Sequence, residues 1–88
     1  MNWTSELSRE AEDQLRHLPR NIQKRIAQAI DAMERNPFEG NIKALKGKQW
    51  KGRFRKRVGD YRIIFIPDHT KRRITISAIL LRSEKTYK

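Results

Sequence analysis

The sequence contains no cysteine. That removes disulfides and thiolate metal sites together, and with them any direct sign of redox compartment. No apolar run approaches the ~20 residues that a membrane-spanning helix requires. The opening residues Met1-Asn2-Trp3-Thr4-Ser5-Glu6 lack a basic start and an apolar stretch, so no secretory signal is expected. There is no internal repeat, no low-complexity segment and no linker. Acidic residues are scarce: 10 Asp and Glu stand against 21 Lys and Arg. These absences predict a soluble, cytoplasmic protein of one domain, residues 1–88, with no part in a membrane.

What is present is positive charge, with a net +11 over 88 residues. Such an excess repels itself in the folded state and attracts polyanions at long range. Nucleic acid is the expected partner. A membrane-surface protein would carry its cations on an amphipathic helix with bulky apolar residues opposite, whereas here the densest cationic stretch has the pattern of a strand. A chain of this length buries only about 60–65% of its unfolded surface. Its 36% hydrophobic residues are concentrated in periodic segments, which favours a folded domain over disorder.

Residues 2–7 read as a short edge strand, with Trp3 and Ser5 on one face and Thr4 on the other. Ser8 is placed to cap a helix over Arg9 to His17, whose first turns carry Glu10, Glu12 and Asp13 near the positive end of the dipole. Pro19 opens a second helix at a position where its missing N–H costs nothing. Ile22, Ile26, Ala29, Ile30 and Met33 form one apolar stripe on it, and Asn36-Pro37 ends it. The short break predicts that the two helices pack as an antiparallel hairpin. Residues 38–49 have no sustained period and read as a loop. Strands are expected at 50–58, 61–67 and 72–80, separated by Gly59-Asp60 and by Pro67-Asp68-His69-Thr70-Lys71. The fold class is therefore α+β: an N-terminal strand, two helices, and a three-stranded antiparallel meander in one sheet with the helices on one face.

Along strand 50–58, Lys51, Arg53, Arg55 and Arg57 share one parity, and Trp50, Phe54 and Val58 the other. Lys56 falls among the apolar set, where its stem can lie on the core surface while its amine reaches water. A two-residue Gly59-Asp60 loop with glycine first, as in a type II′ turn, pairs Val58 with Tyr61. Arg57 then faces Arg62, Arg55 faces Ile64, and Phe54 faces Phe65. Phe54, Val58, Tyr61, Ile63 and Phe65 collect on the helix side, and Arg53, Arg55, Arg57 and Arg62 on the other. A slip of one residue would push Arg62 into the core. On the last strand Ile74, Ile76 and Ala78 are expected to cover the core, leaving Thr75 and Ser77 near the arginines. Like charges placed opposite one another destabilise a sheet, so the cluster points to an anion. Guanidinium forks hold a phosphate with two bonds at once, and a polyphosphate chain is the natural ligand.

The segments Leu45-Lys46-Gly47, Arg55-Lys56-Arg57-Val58-Gly59-Asp60-Tyr61-Arg62-Ile63-Ile64-Phe65 and Arg82-x-x-x-x-Tyr87 resemble the RelE/ParE superfamily of type II toxins. The similarity spans nearly the whole chain, including its element order, and Arg57-Val58-Gly59-Asp60-Tyr61-Arg62 is its most specific part. The resemblance implies a RelE-like fold and a toxin neutralised by a cognate antitoxin encoded beside it, monomeric alone and hetero-oligomeric with that antitoxin. In the RelE-like branch the toxin enters the ribosomal A site, against 16S rRNA, and cuts mRNA there. The 2′-hydroxyl attacks the adjacent phosphate, giving a 2′,3′-cyclic phosphate and a 5′-hydroxyl end with no metal or cofactor.

Carried over residue by residue, Arg53 and Arg55 match the basic pair of the second strand, Arg62 the arginine after the Gly-x-Tyr turn, and Tyr87 the C-terminal tyrosine. Arg82 stands for the late arginine, although its spacing to the tyrosine is one residue longer than the commoner Arg-x-x-x-Tyr. The expected catalytic residues are thus Arg55, Arg62, Arg82 and Tyr87, with Lys51, Arg53 and Arg57 binding RNA. Arg55 and Arg62 would stabilise a phosphorane transition state. Tyr87 would take the 2′-hydroxyl proton if nearby cations lower its pKa from about 10. Arg82 would stabilise charge first and donate a proton second. His17 and His69 read as structural or solvated, and Trp3 and Trp50 as core or antitoxin-contact aromatics. Two alternatives stand beside the nuclease: a ParE-like gyrase poison that cuts no RNA, and a nucleic-acid-binding module with no chemistry.

Overall fold

The structure is a computed structural model that describes residues 2–40 and 42–81, with only the backbone of Trp50. In chain order the elements are β1 (Thr4–Leu7), α1 (Arg9–Arg16), α2 (Arg20–Arg35), β2 (Ile42–Ala44), a 3₁₀ turn (Lys48–Trp50), β3 (Phe54–Val58), β4 (Tyr61–Asp68) and β5 (Arg73–Leu81). The strands form one sheet in the order β1-β5-β4-β3-β2. The meander β3-β4-β5 is antiparallel as expected, and β1 is an edge strand that runs parallel to β5, so the sheet is mixed.

Each helix forms for the reasons its sequence offers. Ser8 Oγ accepts the Ala11 N–H and also donates to the Ser77 carbonyl, both at 3.1 Å. One hydroxyl thus caps α1 and ties it to β5. At the junction, Gln23 of α2 donates its amide to the carbonyls of Leu18 at 2.8 Å and Arg16 at 3.2 Å, satisfying groups that the end of α1 leaves open. The helices spend their contact on the sheet more than on each other: α1 lies over β5, and α2 approaches β1 and β3. Ala11, Ile26, Ile30 and Met33 meet Ile63, Phe65, Ile74, Ile76 and Ile79 in one buried cluster. No helix among the described residues is long and apolar enough to cross a membrane.

Both ends of β1 are secured by α2 and α1. Glu34 on α2 accepts Trp3 N–H at its carbonyl (2.6 Å) and Ser5 N–H and Oγ–H at its carboxylate (3.1 and 2.5 Å). Past Leu7, the β5 edge is covered rather than open. Ser8 N–H reaches the Ile76 carbonyl at 2.9 Å, and Gln14 of α1 accepts Ile79 N–H at 2.6 Å. An exposed edge would invite pairing with another chain.

Three expectations need correction. The segment expected to be loop contains β2, which pairs antiparallel with β3 through Ile42–Lys56, Lys43–Arg55 and Ala44–Phe54. Three residues among glycines are too few to show a period. The strand expected from residue 50 begins at Phe54. Residues 48–50 wind into a 3₁₀ turn and Gly52 takes φ +78°, which breaks the alternation that joined Lys51 to Arg53. Finally, β5 carries a bulge. Ile64 pairs with Ala78 but Phe65 pairs with Ile76, leaving Ser77 as the extra residue. Parity inverts there, so Ile79 enters the core and Ala78 turns to the opposite face with Leu80. Ser77 Oγ donates to the Ile64 carbonyl across the irregularity at 3.3 Å.

Two stability predictions follow from this packing. Phe65 is fully buried and stacks on Phe54 at 5.9 Å, so Phe65→Ala should cost about 3–5 kcal/mol in chemical denaturation. Ser8→Ala removes the cap and the link to β5 together and should cost about 1–2 kcal/mol; a loss near zero would mean that neither bond contributes.

Candidate phosphate-binding face

The β3–β4 hairpin pairs Val58–Tyr61, Arg57–Arg62, Lys56–Ile63, Arg55–Ile64 and Phe54–Phe65, as the turn chemistry required. Gly59 has φ +58° and Asp60 does not share the left-handed region, the pattern of a type II′ turn. The guanidinium of Arg25 approaches from α2 to within 3.2 Å of where a Cβ on Gly59 would lie. A larger residue there meets both backbone strain and a side chain.

This register sends Arg55, Arg57 and Arg62 to the face away from the helices. In a two-residue hairpin the closing pair is hydrogen-bonded, so Arg57 and Arg62 form the next, non-hydrogen-bonded pair, with Cα atoms about 4.5 Å apart. All three arginines are half-buried, and Arg62 Nε is withdrawn from solvent. Arg53 precedes β3 and is also half-buried; its carbonyl accepts Leu45 N–H at 3.0 Å. Lys51 belongs to the turn before the strand and is exposed. It is therefore not part of the parity-matched row.

The face is not uniformly basic. On β4 the arginine is followed by Ile64 and Ile66, and on β5 Leu80 pairs with Arg62 while Ala78 pairs with Ile64. Ile64 is fully buried and Leu80 nearly so, yet neither belongs to the helix-side cluster. The outer face thus has an apolar half over β4 and β5 and a cationic half over β3 and β2. The parity argument missed the apolar half because it followed the arginines alone and carried Ala78 inward.

β2 adds a cation that the sequence reading missed. Lys43 pairs with Arg55 and shares its face. With Gly40, Ile42, Arg55 and Arg57 it lines a depression of about 210 Å³. Lys56 faces the other way, as expected, and its amine donates to the Glu39 carbonyl at 3.0 Å. The histidines stand apart from this face. His17 Nδ1 meets the Asp13 carbonyl at 2.7 Å at the end of α1. His69 stacks on Phe38 (centroids 5.4 Å, 3°) and meets Trp3 edge-on, in a ring cluster that continues from Phe38 through Phe54 to Phe65. The expected site residues Arg82 and Tyr87, and the side chain of Trp50, lie outside the described residues.

Comparison with known structures bears on both fold and family. The chain resembles the toxin–antitoxin complex RelBE2 of Mycobacterium tuberculosis at 24% identity and TM-score 0.83, covering 93% of this chain and 100% of that one. It resembles the archaeal RelE–RelB complex of Pyrococcus horikoshii at 22% identity and TM-score 0.79, covering 96% and 99%. A YoeB/ParE toxin from Agrobacterium tumefaciens matches at 17% identity and TM-score 0.75, covering 89% and 96%. Curated proteins give no match. The family model described as "ParE toxin of type II toxin-antitoxin system, parDE" matches residues 5–86. With nearly its whole length matched, the chain belongs to this family of type II toxins, within the RelE/ParE superfamily.

Proposed function

We propose that this toxin is an endoribonuclease that cleaves mRNA, in the ribosomal A site, and is neutralised by an antitoxin encoded beside it. The observation that carries the reading is the pairing of Arg57 with Arg62 beside Arg55 on the helix-free face. A sheet accepts like charges opposite one another only at a cost. A phosphodiester passing to a pentacoordinate state gains negative charge between such groups, and donors already in place stabilise that charge preferentially.

In the proposed reaction the RNA 2′-hydroxyl oxygen bonds to the adjacent phosphorus and the bond from phosphorus to the 5′-oxygen breaks. The products are a 2′,3′-cyclic phosphate and a 5′-hydroxyl end. Arg55 and Arg62 stabilise the transition state, while Arg53 and Arg57 hold the backbone. Tyr87, as its phenolate, receives the 2′-hydroxyl proton; Arg82 stabilises the departing 5′-oxygen, which takes up a proton from Arg82 or water to become the 5′-hydroxyl. Antitoxin binding is supported by relatives whose solved structures are RelE–RelB complexes.

A second reading has its own support: the matching family model is described for parDE toxins, and a ParE-like toxin would poison DNA gyrase without cutting RNA. Purified protein added to programmed ribosomes separates the two. The nuclease should cut mRNA at the A-site codon with no metal added beyond the magnesium that holds the ribosome together; intact mRNA with inhibited gyrase would establish the other reading. Arg62→Ala should lower cleavage by at least about a hundredfold, the scale of removing one preorganised donor, with its thermal transition retained. Binding to single-stranded RNA should weaken with salt at a log–log slope near −3.5, for about five phosphates neutralised. A flat response would point to a protein target.

A further inference from the structure

We propose that Lys43, Arg55 and Arg57 form a subsite for the phosphate that flanks the scissile one in single-stranded RNA. The inference rests on the nuclease reading and extends it to the path of the substrate. Lys43 is the residue that belongs to this subsite alone.

Three observations support it. Lys43, Arg55 and Arg57 line one depression, together with Gly40 and Ile42. Three like charges around one depression repel one another, and an anion entering between them relieves that repulsion.

The second observation is spacing. Lys43 lies directly across from Arg55, and Arg57 lies directly across from Arg62. Positions 55 and 57 are two residues apart on one strand, about 6.8 Å at roughly 3.4 Å per residue. Successive phosphates of an extended single strand are separated by a comparable distance. A backbone running along β3 would place the scissile phosphate near Arg57 and Arg62 and its neighbour beside Lys43, with Arg55 and Arg57 reaching both. Ridges of paired cations at this interval suit a repeating polyanion better than a compact one.

The third observation is how the depression is held. Lys56 Nζ fastens the Glu39 carbonyl, and Gly40, at φ +95°, has that amine 3.1 Å from where its Cβ would lie. The chain before β2 is thus anchored to β3, and glycine keeps that wall low. Lysine on an edge strand also discourages pairing with another chain. That role alone would favour a position away from two arginines, since proximity to them costs energy without adding protection.

The test uses the full-length protein and a short RNA made uncleavable by 2′-O-methyl groups, with binding read by fluorescence anisotropy. One methylphosphonate, which removes a single backbone charge, is moved linkage by linkage. Wild type should lose roughly tenfold in affinity at two adjacent linkages, the scale of a charge-assisted contact. Lys43→Ala should bind the all-phosphate RNA about tenfold more weakly and be insensitive to the substitution at one of those two linkages. Lys43 is exposed, and an unchanged thermal transition will verify the fold of the variant. If wild type binds and Lys43→Ala binds equally well, or loses the same factor at every linkage, the subsite is refuted while the nuclease reading stands. If wild type does not bind RNA at all, both fall.

Discussion

The pairing of Val58 with Tyr61 decides which way every later side chain of the hairpin faces. A sheet side chain has two choices, and a shift by one residue reverses all of them. With the observed register Phe54, Val58, Tyr61, Ile63 and Phe65 meet the helices. With a slipped register Arg62 would occupy the place of a core residue, where an unpaired charge costs several kcal/mol. The glycine-first turn and the buried apolar row therefore enforce the same answer independently. The same constraint that builds the core assembles the arginines on the other side. Stability and site are two consequences of one register.

The bulge at Ser77 modifies this arrangement without undoing it. Before it, β5 sends Ile74 and Ile76 to the core; after it, Ile79 faces inward and Ala78 and Leu80 outward. The outer face thereby gains an apolar half next to its cations. Ser77 is bound on both sides of the irregularity, donating to Ile64 and accepting from Ser8, so the N-terminal cap of α1 helps to hold the bulge.

Much of the fold was legible because its signals were local. Ser8, Pro19 and Asn36-Pro37 marked the helix limits, and the stripe from Ile22 to Met33 identified the buried side of α2. Gly59-Asp60 set the hairpin register, and with it the placement of Arg55, Arg57 and Arg62. The errors had physical causes of their own. β2 is held by pairing with β3 rather than by any propensity of Ile42-Lys43-Ala44, so Lys43 could not be found without its partner strand. Lys51 was placed by extending an alternation through a turn at Gly52. Ala78 was placed by extending one through a bulge that no glycine announces. Family resemblance supplied the expected roles of Arg82 and Tyr87, which periodicity alone would not have singled out.

The account depends on anion binding being confined to one face of a protein whose basic residues are spread widely. Backbone amide shifts on titration with a 2′-O-methyl RNA trinucleotide measure this directly. The predicted result is perturbation centred on residues 43, 53–57 and 62, with the amides around Lys24 and Arg25 of α2 unmoved. Shifts distributed over both faces in proportion to local charge, or centred on α2, would contradict it.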